Sequence, residues 1–186
     1  MTDSLNQEQG SYWASSSDAE SSCSFSGGEY HVKVATYELS RPCQAHTEDL
    51  SNFAFQVTVR FVQGDQSDVG GIIFRAQVDQ TGNINGARDY YFSISRQRDY
   101  ALGVNTGPAL GKRLATGISS AINTQSNQTN LLTIIALGKN IYAYINKQLV
   151  ASVTDSSFKS GQLYLYALDF YNPVDLAFSN AQIWKL

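Results

Sequence analysis

The strongest constraint on the fold is a regular alternation near the middle of the chain. Between residues 53 and 62 the sequence FAFQVTVRFV places a large apolar side chain at every second position. Successive side chains of a β-strand point to opposite faces, so this period of two predicts a long strand with one buried face. No segment keeps an apolar period of 3.6 residues over ten or more positions; the nearest, residues 114–123, contains a glycine. We therefore expect very little helix.

Other segments share the short alternating or β-branched character of strands, and turn residues separate them. Asn146-Lys147 suits a two-residue hairpin, because asparagine tolerates a positive φ. Residues 79–88 are predicted to form an exposed loop, and residues 105–128 the longest irregular stretch; loops on a rigid scaffold commonly carry binding groups. About ten strands without alternating helices predict an all-β antiparallel sandwich or barrel. The predicted strands cover residues 29–37, 53–62, 69–76, 89–95, 99–104, 130–137, 140–146, 148–153, 161–168 and 174–184.

The first 22 residues differ in character from the rest of the chain. They are polar and rich in serine, which is typical of a linker or a loose arm. Tyr12 and Trp13 interrupt this composition, and we expect them to dock the arm onto the body. The predicted organisation is an arm or linker over residues 1–22 and one β-sandwich domain over residues 23–186.

Length and charge exclude some classes of function. The 186 residues suffice to bury the core of one domain. Lys and Arg number 13 against 16 Asp and Glu, a net charge of −3 without a basic cluster, so we expect no nucleic-acid partner. No apolar run approaches the roughly 18–20 residues that span a bilayer, so we expect no membrane insertion by this segment.

The location of the protein is predicted from the N-terminus and the cysteines. Residues 1–10 lack the basic and apolar regions of a signal peptide, so either the protein is cytosolic or Met1 replaces a native signal or anchor. Cys23 and Cys43 lie 20 residues apart and form no CxxC motif. They are either two buried thiols or a disulfide, which would contribute about 3 kcal/mol. We favour the disulfide and an extracellular or cell-surface location.

The order of three segments resembles a known superfamily. GGIIFR at residues 70–75 precedes YYFSISRQRDYAL at residues 90–102, and a third segment runs from Asn146 through Asp155 to Gly161. This pattern resembles the concanavalin A-like lectin/glucanase jelly rolls. Within them it is closest to 3-keto-disaccharide hydrolase-like and laminin-G-like domains, and to the ectodomains of some bacterial serine/threonine kinases.

The resemblance covers about residues 23–186 and carries expectations for the fold. In the kinase ectodomains two cysteines flank a Tyr-His-Val strand, as Cys23 and Cys43 flank residues 30–32 here. The resemblance implies an antiparallel jelly-roll β-sandwich of two six- or seven-stranded sheets, with a concave face that often receives glycans. It does not give the function, because this fold hosts lectins, hydrolases and adhesins alike.

No catalytic motif stands out in the sequence. A glycosidase needs two carboxyl groups about 5–10 Å apart, and laminarinase-type jelly rolls supply them from a Glu-x-Asp-x-x-Glu strand that this chain lacks. His31 and His46 lie near no nucleophile motif. We therefore expect no enzymatic activity and no required cofactor. Loop aspartates could still pair in space, although we expect them to be turn and surface residues: Asp65, Asp68, Asp79, Asp89, Asp99, Asp155, Asp169 and Asp175.

A calcium ion is left open by the sequence. Ca²⁺ takes six to eight oxygen ligands, which loop carboxylates and backbone carbonyls supply. Asp65, Asp68 and Asp175 are the candidate ligands for such an ion. No consecutive calcium-loop motif supports them.

Sugar binding is the function that the residue types favour. Tyrosine offers both a stacking surface and a hydroxyl, while Arg, Asp and Asn make multidentate hydrogen bonds. The resemblance places Arg75 on the concave sheet; alternatively, Arg75 is a structural ion-pair partner and the tyrosines pack the sandwich. The candidate ligand-binding residues are Arg75, Tyr91 and Tyr100 on the concave face, with Asp169, Tyr171 and Asn172 on a rim loop.

The sequence leaves three candidate functions. The first is a non-catalytic carbohydrate-binding or sensor module whose partner is a glycan or polysaccharide. The second is a structural or adhesive surface protein that binds another protein or itself, and the third is a glycoside hydrolase on the same fold. A further tyrosine set could reflect cross-strand aromatic pairing or a self-association face: Tyr142, Tyr144, Tyr164 and Tyr166.

Overall fold

The computed structural model describes residues 1–79, 84, 86–108, 111–125 and 127–186. Every regular element in this part of the chain is a strand, and no described segment forms a helix of the length and hydrophobicity that a bilayer crossing requires. The strands are β1 (Thr2–Asp3), β2 (Ser16–Ser17), β3 (Ser21–Ser26), β4 (Glu29–Val34), β5 (Ser40–Gln44), β6 (Phe53–Gln63), β7 (Val69–Ala76), β8 (Arg88–Ser95), β9 (Asp99–Thr106), β10 (Lys112–Ile118), β11 (Thr129–Leu137), β12 (Asn140–Ile145), β13 (Gln148–Thr154), β14 (Gln162–Leu168) and β15 (Val174–Lys185).

The strands form two antiparallel sheets. One has nine strands, in the order β13-β12-β11-β6-β15-β4-β3-β2, with β1 also pairing with β15. The other has six, in the order β10-β9-β8-β7-β14-β5. All ten predicted strands are present, and the predicted antiparallel sandwich is confirmed. The first sheet exceeds the predicted six or seven strands because β1 and β2, of two residues each, extend it.

The core lies between the two sheets and follows from the alternation in β6. Phe53 and Phe55 are fully buried, and the intervening residues of β6 face outward. Phe74 of β7 meets Phe53 edge-on at 6.2 Å and stacks on Tyr90 of β8 at 5.3 Å. Burial of each large apolar side chain contributes about 1.5–3 kcal/mol, so these facing rings hold the sheets together.

The predicted disulfide is confirmed, and it joins the two sheets. Cys23 lies on β3 of the nine-stranded sheet and Cys43 on β5 of the six-stranded sheet, with their Cα atoms 6.0 Å apart. Arg41 donates a hydrogen bond from Nε to the Cys23 sulfur and forms an ion pair with Asp18. The disulfide therefore links the two sheets covalently at this edge of the sandwich.

The N-terminal segment packs on the sandwich. Leu5 and Trp13 are buried, and the Trp13 ring lies 6.4 Å from that of Phe55. Tyr12 is 39% exposed and is held through its backbone, whose carbonyl accepts a hydrogen bond from the His46 amide. Trp13 thus provides the apolar anchor, while the division of the chain at residue 22 stays a prediction.

One predicted irregular region is wrong in part. Strand β10 lies within residues 105–128, and it pairs with β9 at the edge of the six-stranded sheet. Its polar, glycine-containing sequence KRLATGI lacks a clear period of two because an edge strand is largely exposed. Of the predicted loop at 79–88, residues 80–83 and 85 lie outside the described residues, and β8 already begins at Arg88.

Candidate functional site

The candidate site lies on the outer face of the six-stranded sheet, the face turned away from the core. In β8, Tyr90 and Phe92 point inward and are fully buried between the sheets. The alternate residues Asp89, Tyr91 and Ser93 therefore point outward. Register places Ser93 beside Ala101 of β9 and Tyr91 beside Gly103, so the outward side chains of neighbouring strands form rows across this face.

A cavity of about 390 Å³ opens on this outer face. We call it the Asp89 cavity. Strands β7, β8, β9, β10 and β14 contribute to its wall, so it belongs to the rigid sheet rather than to one loop. The polar and aromatic side chains among its lining residues are Ser40, Asp89, Tyr91, Ser93, Asn105, Arg113, Tyr166 and Phe170.

A buried carboxylate marks one end of the Asp89 cavity. Asp89 is only 3% exposed, and it accepts a hydrogen bond of 3.0 Å from the Asn105 side-chain amide. Burial raises the pKa of the Asp89 carboxyl to about 6, against the effect of the Asn105 hydrogen bond. Asn105 in turn lies against Gly111, where an added Cβ would stand 1.9 Å from its Oδ1 atom. A glycine at position 111 therefore leaves the room that the Asn105 amide occupies.

Aromatic rings form the walls of the cavity. The Tyr91 ring lies over Gly103, since a Cβ there would stand 2.4 Å from the tyrosine Cζ atom. Burial raises the pKa of Tyr91, while the charge of Arg113 lowers it and that of Asp89 raises it. Burial also raises the pKa of Tyr166, whose hydroxyl is hydrogen-bonded to Ser93. The cavity thus combines the Tyr91 and Tyr166 rings with the Asp89 carboxylate and the Arg113 guanidinium.

This set of groups is suited to a neutral polyhydroxylated ligand. The Asp89 carboxylate accepts hydrogen bonds, the Arg113 guanidinium donates them, and Asn105 can do both. Tyrosine rings provide an apolar surface beside these polar groups. One carboxylate and one guanidinium leave the wall near electrical neutrality. Among the groups described, the arrangement favours hydroxyl groups over a charged ligand.

Arg75 does not lie on the outer face, so its predicted position is wrong. A β-bulge in β7 places both Phe74 and Arg75 opposite Leu163, and Arg75 has a φ of 49°. The bulge shifts the alternation, and Arg75 is 1% exposed. Its guanidinium donates to the carbonyl oxygens of Ser51, Gly138 and Phe158 at distances of 2.5–3.2 Å.

Tyr100 is also misplaced by the prediction. It shares the inward face of β9 with Leu102 and packs against the core. Its hydroxyl donates a 2.8 Å hydrogen bond to the Val150 carbonyl of β13, in the opposite sheet. Of the three residues predicted on the concave face, only Tyr91 lines the Asp89 cavity. Tyr100 packs in the sandwich, which is the alternative interpretation, and it also borders a second cavity that adjoins the first.

The predicted rim residues lie on one loop but differ in exposure. Asp169 is buried, and its carboxylate accepts a hydrogen bond from the Tyr171 amide. Tyr171 and Asn172 are exposed, and the Tyr171 ring lies 6.3 Å from that of Tyr37, also exposed. Phe170 of the same loop lines the Asp89 cavity. Tyr171 of this loop and Tyr37 of the connection between β4 and β5 therefore form an exposed pair of tyrosine rings.

The three calcium candidates have other hydrogen-bonding partners. Asp68 is buried, and it accepts hydrogen bonds from the Phe170 and Asp65 amides. Asp65 accepts from the Ser67 amide and hydroxyl. Asp175 lies on β15 of the nine-stranded sheet, where its carboxylate is paired with His31 Nδ1 at 2.7 Å. Across the described ranges, no group of three or more His, Cys, Asp or Glu side chains is arranged to hold a metal.

The four further tyrosines belong to different faces. Tyr142 and Tyr144 lie on β12 and face outward from the nine-stranded sheet, next to Ile135 and Thr133 of β11. Tyr164 and Tyr166 lie on β14, and register places Tyr164 beside Ile73 of β7. None of these four tyrosines is directly opposite another aromatic residue, so the interpretation as cross-strand aromatic pairs is wrong.

The most informative residues of the cavity were not singled out from the sequence. The sequence predicts Asp89 to be a turn or surface aspartate, although Asp89, Tyr91 and Ser93 alternate on one face of the same strand. That alternation was the available signal. Asn105 and Arg113 carry no such signal, because the predicted strand ends at residue 104 and the following stretch is predicted to be irregular.

Comparison with known proteins identifies the fold. No protein-family model and no curated protein sequence matches the chain. Among solved structures, the carbohydrate-binding module CBM66 from Bacillus subtilis superposes with a TM-score of 0.61 at 17% identity, over 98% of this chain and 94% of that one.

Two other structures superpose more closely at lower identity. A Bacillus subtilis protein of unknown function with a galectin-like fold has a TM-score of 0.72 at 12% identity, over 100% of this chain and 94% of that one. A β-glucanase from Bacillus licheniformis has a TM-score of 0.69 at 12% identity, over 100% and 98%. The chain therefore has the concanavalin A-like jelly-roll fold, as the resemblance implied, and at these identities the likeness shows the fold alone.

Proposed function

We propose that this protein is a non-catalytic carbohydrate-binding module that holds a neutral glycan in the Asp89 cavity. The observation that carries the proposal is the placement of the Asp89–Asn105 pair next to Tyr91 and Arg113 on a rigid sheet face. A ligand hydroxyl would donate to Asp89 and another would accept from Arg113, while the sugar C–H surface would pack on Tyr91. The carbohydrate-binding module among the structural neighbours supports this class of function.

The buried state of Asp89 supports a functional role. An ionised carboxylate in a poorly solvated position costs folding free energy unless it is fully paired. Residues that lower stability in this way tend to be retained at functional sites. A ligand hydroxyl that donates to this carboxylate would compensate for part of the lost hydration.

An extracellular or cell-surface location belongs to the same proposal. The Cys23–Cys43 disulfide supports it, because structural disulfides persist mainly in oxidising compartments.

The substitution Asp89→Asn tests the proposal. It keeps the shape of the side chain and removes its charge, so we expect the folding stability at neutral pH to be unchanged or higher. We expect binding of neutral glycans on a glycan array and by calorimetry to weaken by about tenfold or more. Tyr142→Ala, on the outer face of the opposite sheet, is the matched control and should bind as the native protein does. Equal binding by the native and Asp89→Asn proteins would refute the proposal.

The same measurements should be made with added calcium and with a chelator. We propose that binding needs no metal, so the dissociation constants should agree in both conditions.

A glycoside hydrolase is the second candidate, because a β-glucanase with the same fold is among the structural neighbours. Burial raises the pKa of Tyr164 to about 12 and the nearby Asp79 and Asp89 carboxylates add to this effect, so these two carboxylates are the candidate pair. Against catalysis, Asp89 lies beside Asn105 in β9, and Asp99 is six residues further along that strand, about 20 Å away. Glycosidase carboxyls lie about 5–10 Å apart. Release of reducing ends from a bound glycan by the native protein, absent in Asp89→Asn, would establish the hydrolase.

A further inference from the structure

The Asp89 cavity continues into a second cavity on the same sheet face. The second cavity measures about 370 Å³, and we call it the Asp99 cavity. The two share five lining residues, so they are two parts of one trough rather than separate sites. The shared residues are Val69, Ser93, Ala101, Arg113 and Phe170.

Small side chains keep the floor of the trough continuous. Ser93 of β8 lies beside Ala101 of β9, and Ala101 lies beside Thr116 of β10. No large side chain of this row rises between the cavities along β8 and β9. The trough extends from Asn105 to Asp99, a span of six residues or about 20 Å along β9. The lining therefore continues along the strand direction from the Asp89 cavity to the Asp99 cavity.

The far end repeats the chemistry of the first cavity. Asp99 and Thr116 provide a carboxylate and a hydroxyl, and Arg113 borders both cavities. Ile118 at the end of β10 is 76% exposed and adds an apolar side chain to this cavity. Polar groups and apolar surface again lie side by side, as hydroxyl groups and C–H surface do in a sugar.

We propose that this trough binds a linear, neutral oligosaccharide lengthwise along β8 and β9. One sugar unit lies in the Asp89 cavity and the following unit lies in the Asp99 cavity, with Arg113 contacting both. The inference rests on the proposed function and specifies its ligand: a stretch of at least two linked sugars rather than a single sugar.

The test is the dependence of affinity on chain length. Gluco-, manno- and galacto-oligosaccharides, from each monosaccharide to its hexasaccharide, are titrated by calorimetry against the native protein and against the double variant Thr116→Ala/Ile118→Ala. Both positions are exposed on an edge strand, so the fold should tolerate the change. For the native protein we expect affinity to rise about tenfold or more between monosaccharide and longer chains. The double variant should lose that gain and keep the affinity for the monosaccharide.

A control variant separates this trough from another cleft. Gln44→Ala lies in a cleft of about 400 Å³ between β5 and residues 14–16 of the N-terminal segment, and it should keep the full dependence on chain length. Loss of the dependence in Gln44→Ala, or its retention in the double variant, would overturn the inference. Affinity independent of chain length would overturn the inference alone and leave the proposed function in place. Absence of binding to any of these sugars, or to any array glycan, would overturn both.

Discussion

Replacement of Arg75 by alanine is expected to destabilise the protein strongly. The guanidinium donates to three carbonyl groups from separate turns: Ser51 before β6, Gly138 between β11 and β12, and Phe158 before β14. These turns belong to both sheets, so one buried side chain links them. A buried polar group left without its partner costs about 1–3 kcal/mol, and three such groups give about 3–5 kcal/mol after partial relaxation. That is a large fraction of the about 5–15 kcal/mol that stabilises a typical domain.

Urea unfolding followed by circular dichroism and tryptophan fluorescence measures this loss. Arg113→Ala is the matched control, because Arg113 is an exposed arginine in the same sheet and its removal should change stability by no more than about 0.5 kcal/mol. Arg75→Lys, which keeps the charge but not the planar fork, should fall between the two. A loss below about 1 kcal/mol for Arg75→Ala would show that the carbonyl groups find other donors, and the assigned structural role would be refuted. A loss of glycan binding in Arg75→Ala would not by itself locate a binding site, since unfolding would have the same effect.

Three other predictions concern the disulfide and the candidate site. Cys23→Ser/Cys43→Ser should lower the free energy of unfolding by about 3 kcal/mol, since the 20-residue separation sets the loop entropy; an unchanged urea midpoint would contradict this. The Asp89 pKa of about 6 lies above its ordinary value of 3.8, so the folded protein binds this proton more tightly than the unfolded chain does, and the resulting stability is complete below pH about 4 and lost as the pH rises through about 6. Asp89→Asn should therefore be more stable than the native protein at pH 8, by up to about 3 kcal/mol, and the difference should vanish near pH 4; a difference independent of pH would contradict the assignment. Gly111→Ala should displace the Asn105 amide from Asp89 and weaken glycan binding about as much as Asn105→Ala does, whereas Tyr142→Ala, on the outer face of the opposite sheet, should bind normally.

The strand positions could be predicted because they follow from local side-chain chemistry. The alternation in β6, the β-branched strands and the Asn146-Lys147 turn, whose residues have φ of 50° and 70°, are all local features. Strands β1 and β2 could not be found in this way, because two residues carry no period. Strands β3 and β5 are also absent from the prediction, because their sequences SSCSFS and SRPCQ are largely polar. Strand β10 was missed for a related reason: an edge strand needs no buried face.

The candidate site depended on features that are not local. Asp89, Asn105 and Arg113 lie on three neighbouring strands, and only the register of β8, β9 and β10 brings them into one cavity. The bulge in β7 reverses the face on which Arg75 lies, and a period-two reading of the sequence cannot detect it.

The sequence by itself therefore determined the all-β class, most of the strands and the residue types available for binding, because a period of two is a property of consecutive residues. The tertiary structure alone decided which of those residues share a face, because register and bulges are set by pairing between distant segments. Tyr91 kept its predicted place in a regular strand, while Arg75, beside a bulge, did not.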